Sequence, residues 1–239
     1  MCGRIVRKTN VVSIANAFAV EPSEVELSIN FNISPTSDVY VIRNSGDQKS
    51  MDVMSWGLVP SWAKDISRAA SLINARSESL HEKPSFRNLI ARNRCVLPID
   101  AYYEWKLMKV RGKQIKQPYV FVSSSESPFN HSGQLAIAGL WSSWSDERGE
   151  TLLTCTALTT EANSSISQVH HRMPVLLTRE GIDGWLSNST APDFSITQNI
   201  DNSATSHYAV STEVNNARHH GAHLLEPVDL AESEDETLF

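Results

Sequence analysis

The sequence predicts one α+β domain. Apolar runs with strand-like alternation recur along the chain, while helical spacing appears only in short patches. The strands and helices do not follow the regular β–α–β order of a doubly wound sheet. With 239 residues and 41% hydrophobic composition, the chain buries a full core and shows no sign of a second domain. The expected division is a domain over residues 1–228 and an acidic, mobile tail over 229–239.

Val11, Val12, Ile14, Ala15 and Phe18 repeat as one face of a helix. Asp38–Arg43 alternates as a half-buried strand, and Met51–Val59 reads as a second. Pro84 stands where a helix could begin, with Phe86, Leu89 and Ile90 following at helical spacing. Cys95–Ile99 and Tyr102–Lys106 read as strands, followed by a charged loop around Gly112 and a return strand at Tyr119–Val122. Leu135–Trp141 and Leu152–Leu158 are the most strand-like runs, expected at the centre of the sheet. Glu161–Gln168 is expected as a short helix, Val175–Leu177 as a short strand, and Ile182, Trp185 and Leu186 mark another short helix. Asn188–Ser206, rich in Ser, Thr and Asn, reads as a surface loop.

Bulk features narrow the function classes. No apolar run approaches the ~20 residues that span a bilayer. Arg4, Arg7 and Lys8 precede Val11–Val20, and Ala17-Phe18-Ala19 imitates a cleavage site, but Ser13 and Asn16 interrupt the run. Cys2, Cys95 and Cys155 form no CxxC pair and leave an odd thiol, which suits a reducing cytoplasm. Of the net charge of −6, five negative charges fall on Asp229, Glu232, Glu234, Asp235 and Glu236, so the remainder is close to neutral. Arg87, Arg92, Arg94, Lys106, Lys109, Arg111, Lys113 and Lys116 face only Asp100 and Glu104 within residues 87–116. That basic stretch is compatible with phosphate binding, and its hairpin part equally with a solvated charged surface.

No glycine-rich phosphate loop, GxSxG or HExxH occurs. Cys2 follows the initiator methionine. Removal of Met1 is expected and leaves an α-amine and a thiol on one residue, with ordinary pKa values of about 7.7–8.0 and 8.5. Such a 1,2-aminothiol condenses with an aldehyde, first as a Schiff base and then as a thiazolidine. Glu104, among aromatics in Tyr102-Tyr103-Glu104-Trp105, is suited to proton transfer if buried, or is a surface residue paired with Lys106 or Arg94. Asn74 is a buried hydrogen-bonding amide or a turn residue. His170 is a proton shuttle or a structural histidine. His219-His220 is a poor metal pair, because adjacent strand residues point to opposite faces, and no metal site is expected.

Several segments occur together and in order: Met1-Cys2-Gly3-Arg4, Phe31-Asn32-Ile33-Ser34-Pro35-Thr36, Trp56-Gly57-Leu58-Val59-Pro60-Ser61-Trp62 and Ile73-Asn74-Ala75-Arg76-Ser77-Glu78. Arg94-Cys95-Val96-Leu97-Pro98, Tyr103-Glu104-Trp105-Lys106, His170-His171-Arg172-Met173-Pro174, Val214-Asn215-Asn216 and Leu224-Leu225-Glu226-Pro227 follow. Over roughly residues 2–227 the chain resembles the SOS-response-associated peptidase (SRAP) family. The resemblance implies a compact domain with a curved, barrel-like, mainly antiparallel sheet flanked by short helices.

It also implies a cytoplasmic monomer, nucleoid-associated if bacterial, that crosslinks through Cys2 to abasic sites in single-stranded DNA without metal or cofactor. Asn74 would orient the opened sugar or the Cys2 amine, Glu104 would assist ring opening, and His170 would assist proton transfer and reversal. Arg4 and Arg76 would bind phosphates, Trp62 would stack on bases, and Arg87 would be a further phosphate contact. Two other readings stay open: a thiol peptidase acting on its own N-terminus or on other proteins, and a non-catalytic single-stranded DNA binder.

Overall fold

The computed structural model describes residues 2–230 apart from 47, 111, 191, 193, 198 and 199. Met1, Arg111 and most of the acidic tail lie outside the described residues. The chain builds two sheets that share a corner.

The first sheet closes on itself. Strands β3 (Asp38–Ser45) and β4 (Gln48–Trp56) form a hairpin, with Gly46 at φ +68° in its turn. β3 pairs with β6 (Arg94–Ile99), β6 with β9 (Leu135–Ser145), and β9 with β10 (Thr151–Glu161), each antiparallel. β10 then pairs with β4 in parallel, Thr154 opposite Ser55, which completes a five-stranded barrel. Farther along, β10 takes β5 (Asn74–Arg76) in parallel and β11 (Arg172–Pro174) antiparallel. Trp56, Met54, Leu97 and Ile137 share one face of this sheet and Ile42, Leu140 and Leu158 the other, and all are buried. Gly139 is required where β9 is most crowded: a Cβ there would lie 2.5 Å from Leu97 Cδ1 and 2.8 Å from the Thr156 carbonyl oxygen.

The second sheet is antiparallel throughout, in the order β12 (Thr205–Ala209), β8 (Lys113–Ser123), β7 (Ala101–Val110), β1 (Ile5–Arg7), β2 (Asn30–Ile33). Only Asp100 separates β6 from β7. Its buried carboxylate accepts from the Lys8 and Thr9 amides at 2.7 and 3.1 Å, and from Thr9 Oγ1 at 2.5 Å. Its own amide donates to the Val6 carbonyl at 3.0 Å. This junction locks the N-terminal strand to the start of β7.

Helix α1 (Val11–Phe18) follows from its apolar face. Asn10 caps it by accepting from the Ser13 amide at 2.9 Å, and Ala19 ends it at φ +53°. Helix α2 (Arg179–Trp185) is capped by Thr178, and Trp185 is wholly buried.

Several boundaries differ from expectation. The segment after Pro84 forms successive turns instead of a helix, although Phe86 and Ile90 are buried as their spacing requires. The segment ends on Arg94, whose buried guanidinium gathers the carbonyls of Ile90 and Ala91, at 2.6 and 2.9 Å, and those of Trp185 and Ser187. Arg94 is therefore not the partner of Glu104. The short helix expected over 161–168 shrinks to a 3-10 turn at Ile166–Gln168, because β10 runs on through Glu161. The short strand falls at Arg172–Pro174, with Leu176 making only a single bridge to Ile137. The expected 188–206 loop ends in β12, and the β7–β8 hairpin carries its lysines on long strands, not in a loop.

Candidate active site

The four residues expected to do chemistry come from four separate segments, and tertiary structure joins them. Cys2 precedes β1. The Tyr103 amide donates to the Arg4 carbonyl at 2.9 Å, which continues the β1–β7 pairing and brings the N-terminal residues alongside Glu104. Asn74 opens β5, which lies on β10. Its Nδ2 donates to the Cys2 carbonyl at 2.8 Å, and its buried Oδ1 has no partner among the described residues. Cys2 is 1% exposed, and burial raises its thiol pKa far above the ordinary range, with the nearby Glu104 adding to the rise.

Strand alternation decides where Glu104 points. Tyr103 packs in a small cluster with Val6, Ala101, Val120 and Val210, whereas Tyr102 joins the main core together with Cys2. Glu104 shares the face of Tyr102 and is 1% exposed. Burial pushes its carboxyl up to about 7. His170 follows the 3-10 turn, its amide held by the Ile166 carbonyl at 3.0 Å. Its Nδ1 lies 3.8 Å from Glu104 Oε1 and 3.0 Å from both the amide nitrogen and the carbonyl oxygen of Arg172. Burial lowers its pKa to about 4. His171 is exposed, its ring tilted against that of His170 at 4.4 Å between centroids.

An open cleft runs from this group, lined by Glu104, Trp105, Leu107, Lys116, His170 and Asn215. Trp105 Nε1 donates to Asn215 Oδ1 at 2.6 Å. Sequence reasoning assigned no role to Asn215 or Asn32, although both stand in the quoted motifs. Asn32 Nδ2 holds the carbonyls of Asn216 and His219, both at 3.1 Å, and so fixes the segment that presents Asn215.

The expected DNA contacts are placed differently from one another. Arg76 is exposed, two residues beyond Asn74 and on the same strand face. Trp62 is 64% exposed on the loop after β4, beside a shallow pocket formed with Leu58, Pro60, Arg68 and Leu72. Gly57, at φ +148°, lets the start of this loop pass against Ala69; a Cβ there would meet the Ala69 carbonyl oxygen at 2.7 Å. Arg87 is exposed among the turns before β6. Arg4 is half-buried, and its Nη1 is committed to Asn32 Oδ1 at 2.5 Å and to the Val214 carbonyl at 2.9 Å. Among the described residues, no cluster of His, Cys, Asp and Glu could hold a metal ion, and no helix is long and apolar enough to cross a membrane.

A family model described as SOS response associated peptidase (SRAP) matches residues 1–217. The chain belongs to the SRAP family. This SRAP chain is 35% identical over 231 residues to the abasic site processing protein YoqW of Bacillus subtilis (strain 168), covering 95% of this chain and 99% of that one. It is 31% identical over 204 residues to the abasic site processing protein HMCES of Rattus norvegicus, covering 74% of this chain and 56% of the relative. Among solved structures, a protein from Bacteroides thetaiotaomicron superposes with a TM-score of 0.79 at 24% identity, over 95% of this chain and all of that one. That likeness establishes the SRAP fold.

Proposed function

We propose that this SRAP chain is an abasic-site sensor of the DNA damage response. In this reading it captures the lesion in single-stranded DNA as a thiazolidine on Cys2, shielding it from strand cleavage. The observation that carries this reading is the grip of Asn74 on the Cys2 carbonyl beside a buried carboxyl that titrates near neutrality. It orients the first residue of the mature chain, and only that residue offers amine and thiol together.

Removal of Met1 comes first. An abasic deoxyribose is mostly a closed hemiacetal, so its ring oxygen must gain a proton and its anomeric hydroxyl must lose one. Glu104, whose carboxyl burial raises to about 7, is suited to both transfers. The Cys2 amine attacks the exposed aldehyde, and water leaves to give the Schiff base. The free Oδ1 of Asn74 is available to accept a hydrogen bond from that amine. The thiol sulfur then adds to the imine carbon and its proton passes to the nitrogen, directly or through Glu104 and His170. No oxidant, metal or cofactor is required. A Schiff base that eliminated before ring closure would give lyase activity instead.

Arg76 and Trp62 are suited to hold flanking phosphate and base, with Arg87 farther along the surface; single-stranded DNA needs no sequence reading. Arg4, committed to Asn32 and Val214, serves first to hold the site and meets phosphate only with its remaining donors. The thiol-peptidase reading, including autocatalytic removal of Met1, would need a thiolate at Cys2. The high thiol pKa weighs against that and is compatible with attack by the amine first.

The test uses protein whose N-terminus has been verified by mass spectrometry and single-stranded DNA carrying one abasic site. A band that survives denaturation, needs no reductant and disappears in Cys2→Ala is the expected result. A Cys2→Ala variant that still crosslinks would overturn capture. DNA binding without any covalent band, with Met1 removed, would leave a simple binder.

A further inference from the structure

Glu78 follows β5 in a single 3-10 turn, Ser77–Ser79, and its carboxylate reaches past β10 to Arg172 on β11. The pairing is two-pronged. Arg172 Nη1 donates to Oε1 at 2.8 Å and Nη2 to Oε2 at 2.9 Å. Both partners are tied to the strand between them: Nη2 also donates to the Thr159 carbonyl at 2.8 Å, and Thr160 Oγ1 donates to Glu78 Oε1 at 3.3 Å. The Arg172 side chain is 8% exposed and that of Glu78 46%. A guanidinium at that depth has given up its water and depends on its partner.

The placement of this pair matters more than its strength. β5 carries Asn74, which holds Cys2, and β11 is entered directly from His170, which faces Glu104. The Arg172 backbone presents both its amide and its carbonyl 3.0 Å from His170 Nδ1. A bare Nδ1 accepts from the amide and a protonated Nδ1 donates to the carbonyl. The ring therefore keeps a partner while it gains or loses a proton, provided Arg172 does not move.

We infer that Glu78 and Arg172 are positioning residues of the capture site, an inference that rests on the function proposed above. Their ion pair sets the spacing between Asn74 and His170 and, through the Arg172 backbone, holds the His170 ring against Glu104. A phosphate ligand is the other use an arginine here could have, but phosphate would have to displace Glu78 from both terminal nitrogens.

The two roles separate in Glu78→Gln, a change of charge with little change of size at a half-exposed position, compared with the wild type at a temperature where thermal unfolding shows both proteins folded. Positioning predicts adduct formation slower by about 10- to 100-fold, as for a catalytic group displaced by a fraction of an ångström. Binding to the same single-stranded oligonucleotide without the lesion should not change. Arg172→Lys keeps the charge, loses the fork, and should slow capture similarly.

In DNA-free protein, the His170 ring signals in the NMR spectrum, assigned with His170→Gln, should be sharp in the wild type and split or exchange-broadened in both variants. Unchanged capture with sharp ring signals overturns the inference. So does a Glu78→Gln protein that binds lesion-free DNA more tightly and captures faster, which would make Arg172 a phosphate contact restrained by Glu78. If the wild type forms no adduct, the functional reading fails while the ring signals still decide the clamp: broadening only in the variants upholds it, and uniform sharpness ends it.

Discussion

Glu104 Oε1 lies 3.8 Å from His170 Nδ1, and burial has moved the two groups in opposite directions, the carboxyl up to about 7 and the imidazole down to about 4. Near neutral pH, the carboxyl is therefore the group that takes up and releases a proton, while the imidazole stays neutral. Capture by the wild type should show an inflection near pH 7 that belongs to Glu104. In Glu104→Gln the rate should fall by about 10²–10⁴-fold and that inflection should disappear. Single-turnover crosslinking across pH 5–9 checks this; an inflection that persists in the variant assigns it to another group.

The same shifts govern stability. The folded pKa of Glu104 lies above its unfolded value, so its contribution is complete below about pH 4.3 and is lost as pH rises through about 7. The folded pKa of His170 lies below its unfolded value, so its contribution is complete above about pH 6.5 and is lost as pH falls through about 4. The two oppose each other between these limits. Glu104→Gln should gain on the wild type with rising pH, by up to about 3 kcal/mol at pH 8. Urea unfolding from pH 4 to 8 measures the difference, which a pH-independent offset would contradict.

Asn74 donates one hydrogen bond, to the Cys2 carbonyl. Asn74→Ala should cost about 1 kcal/mol of stability, the ordinary value of such a bond, yet slow capture by at least about tenfold through a misplaced amine. Asn74→Asp sets an acceptor against that carbonyl and should be worse in capture. Thermal unfolding and gel-based rates together test this, and equal rates for all three proteins would remove Asn74 from the mechanism.

Trp62 is 64% exposed, so Trp62→Ala should leave stability within about 0.5 kcal/mol of the wild type. It should weaken binding to lesion-free single-stranded DNA by about 1–3 kcal/mol, the range for one base stacked on an aromatic. Gly57→Ala should instead destabilise the fold by about 1–3 kcal/mol, since its methyl meets the Ala69 carbonyl. Fluorescence anisotropy and thermal melts separate the two. Unaltered binding in Trp62→Ala would take the indole out of the DNA path.

The sequence by itself determined the fold class, the strong strands β6, β9 and β10, the apolar faces of the two helices and the motifs that carry the chemistry. These are local properties, written in apolar periodicity and residue type. The tertiary structure decided the rest. Arg94 reads as a surface cation, yet its buried guanidinium gathers carbonyls from two segments. Asn32 and Asn215 carry no local signal, because their partners lie far away along the chain. Glu104 reads equally well as a surface acid, and only the pairing of β7 with β1 buries it beside Cys2. Closure of the barrel through β10 and β4 brings β5 and β11 to one strand, and with them Asn74 and His170. Periodicity registers which face of a segment is buried but not what lies against it, so the reactive group is a product of strand pairing between distant segments.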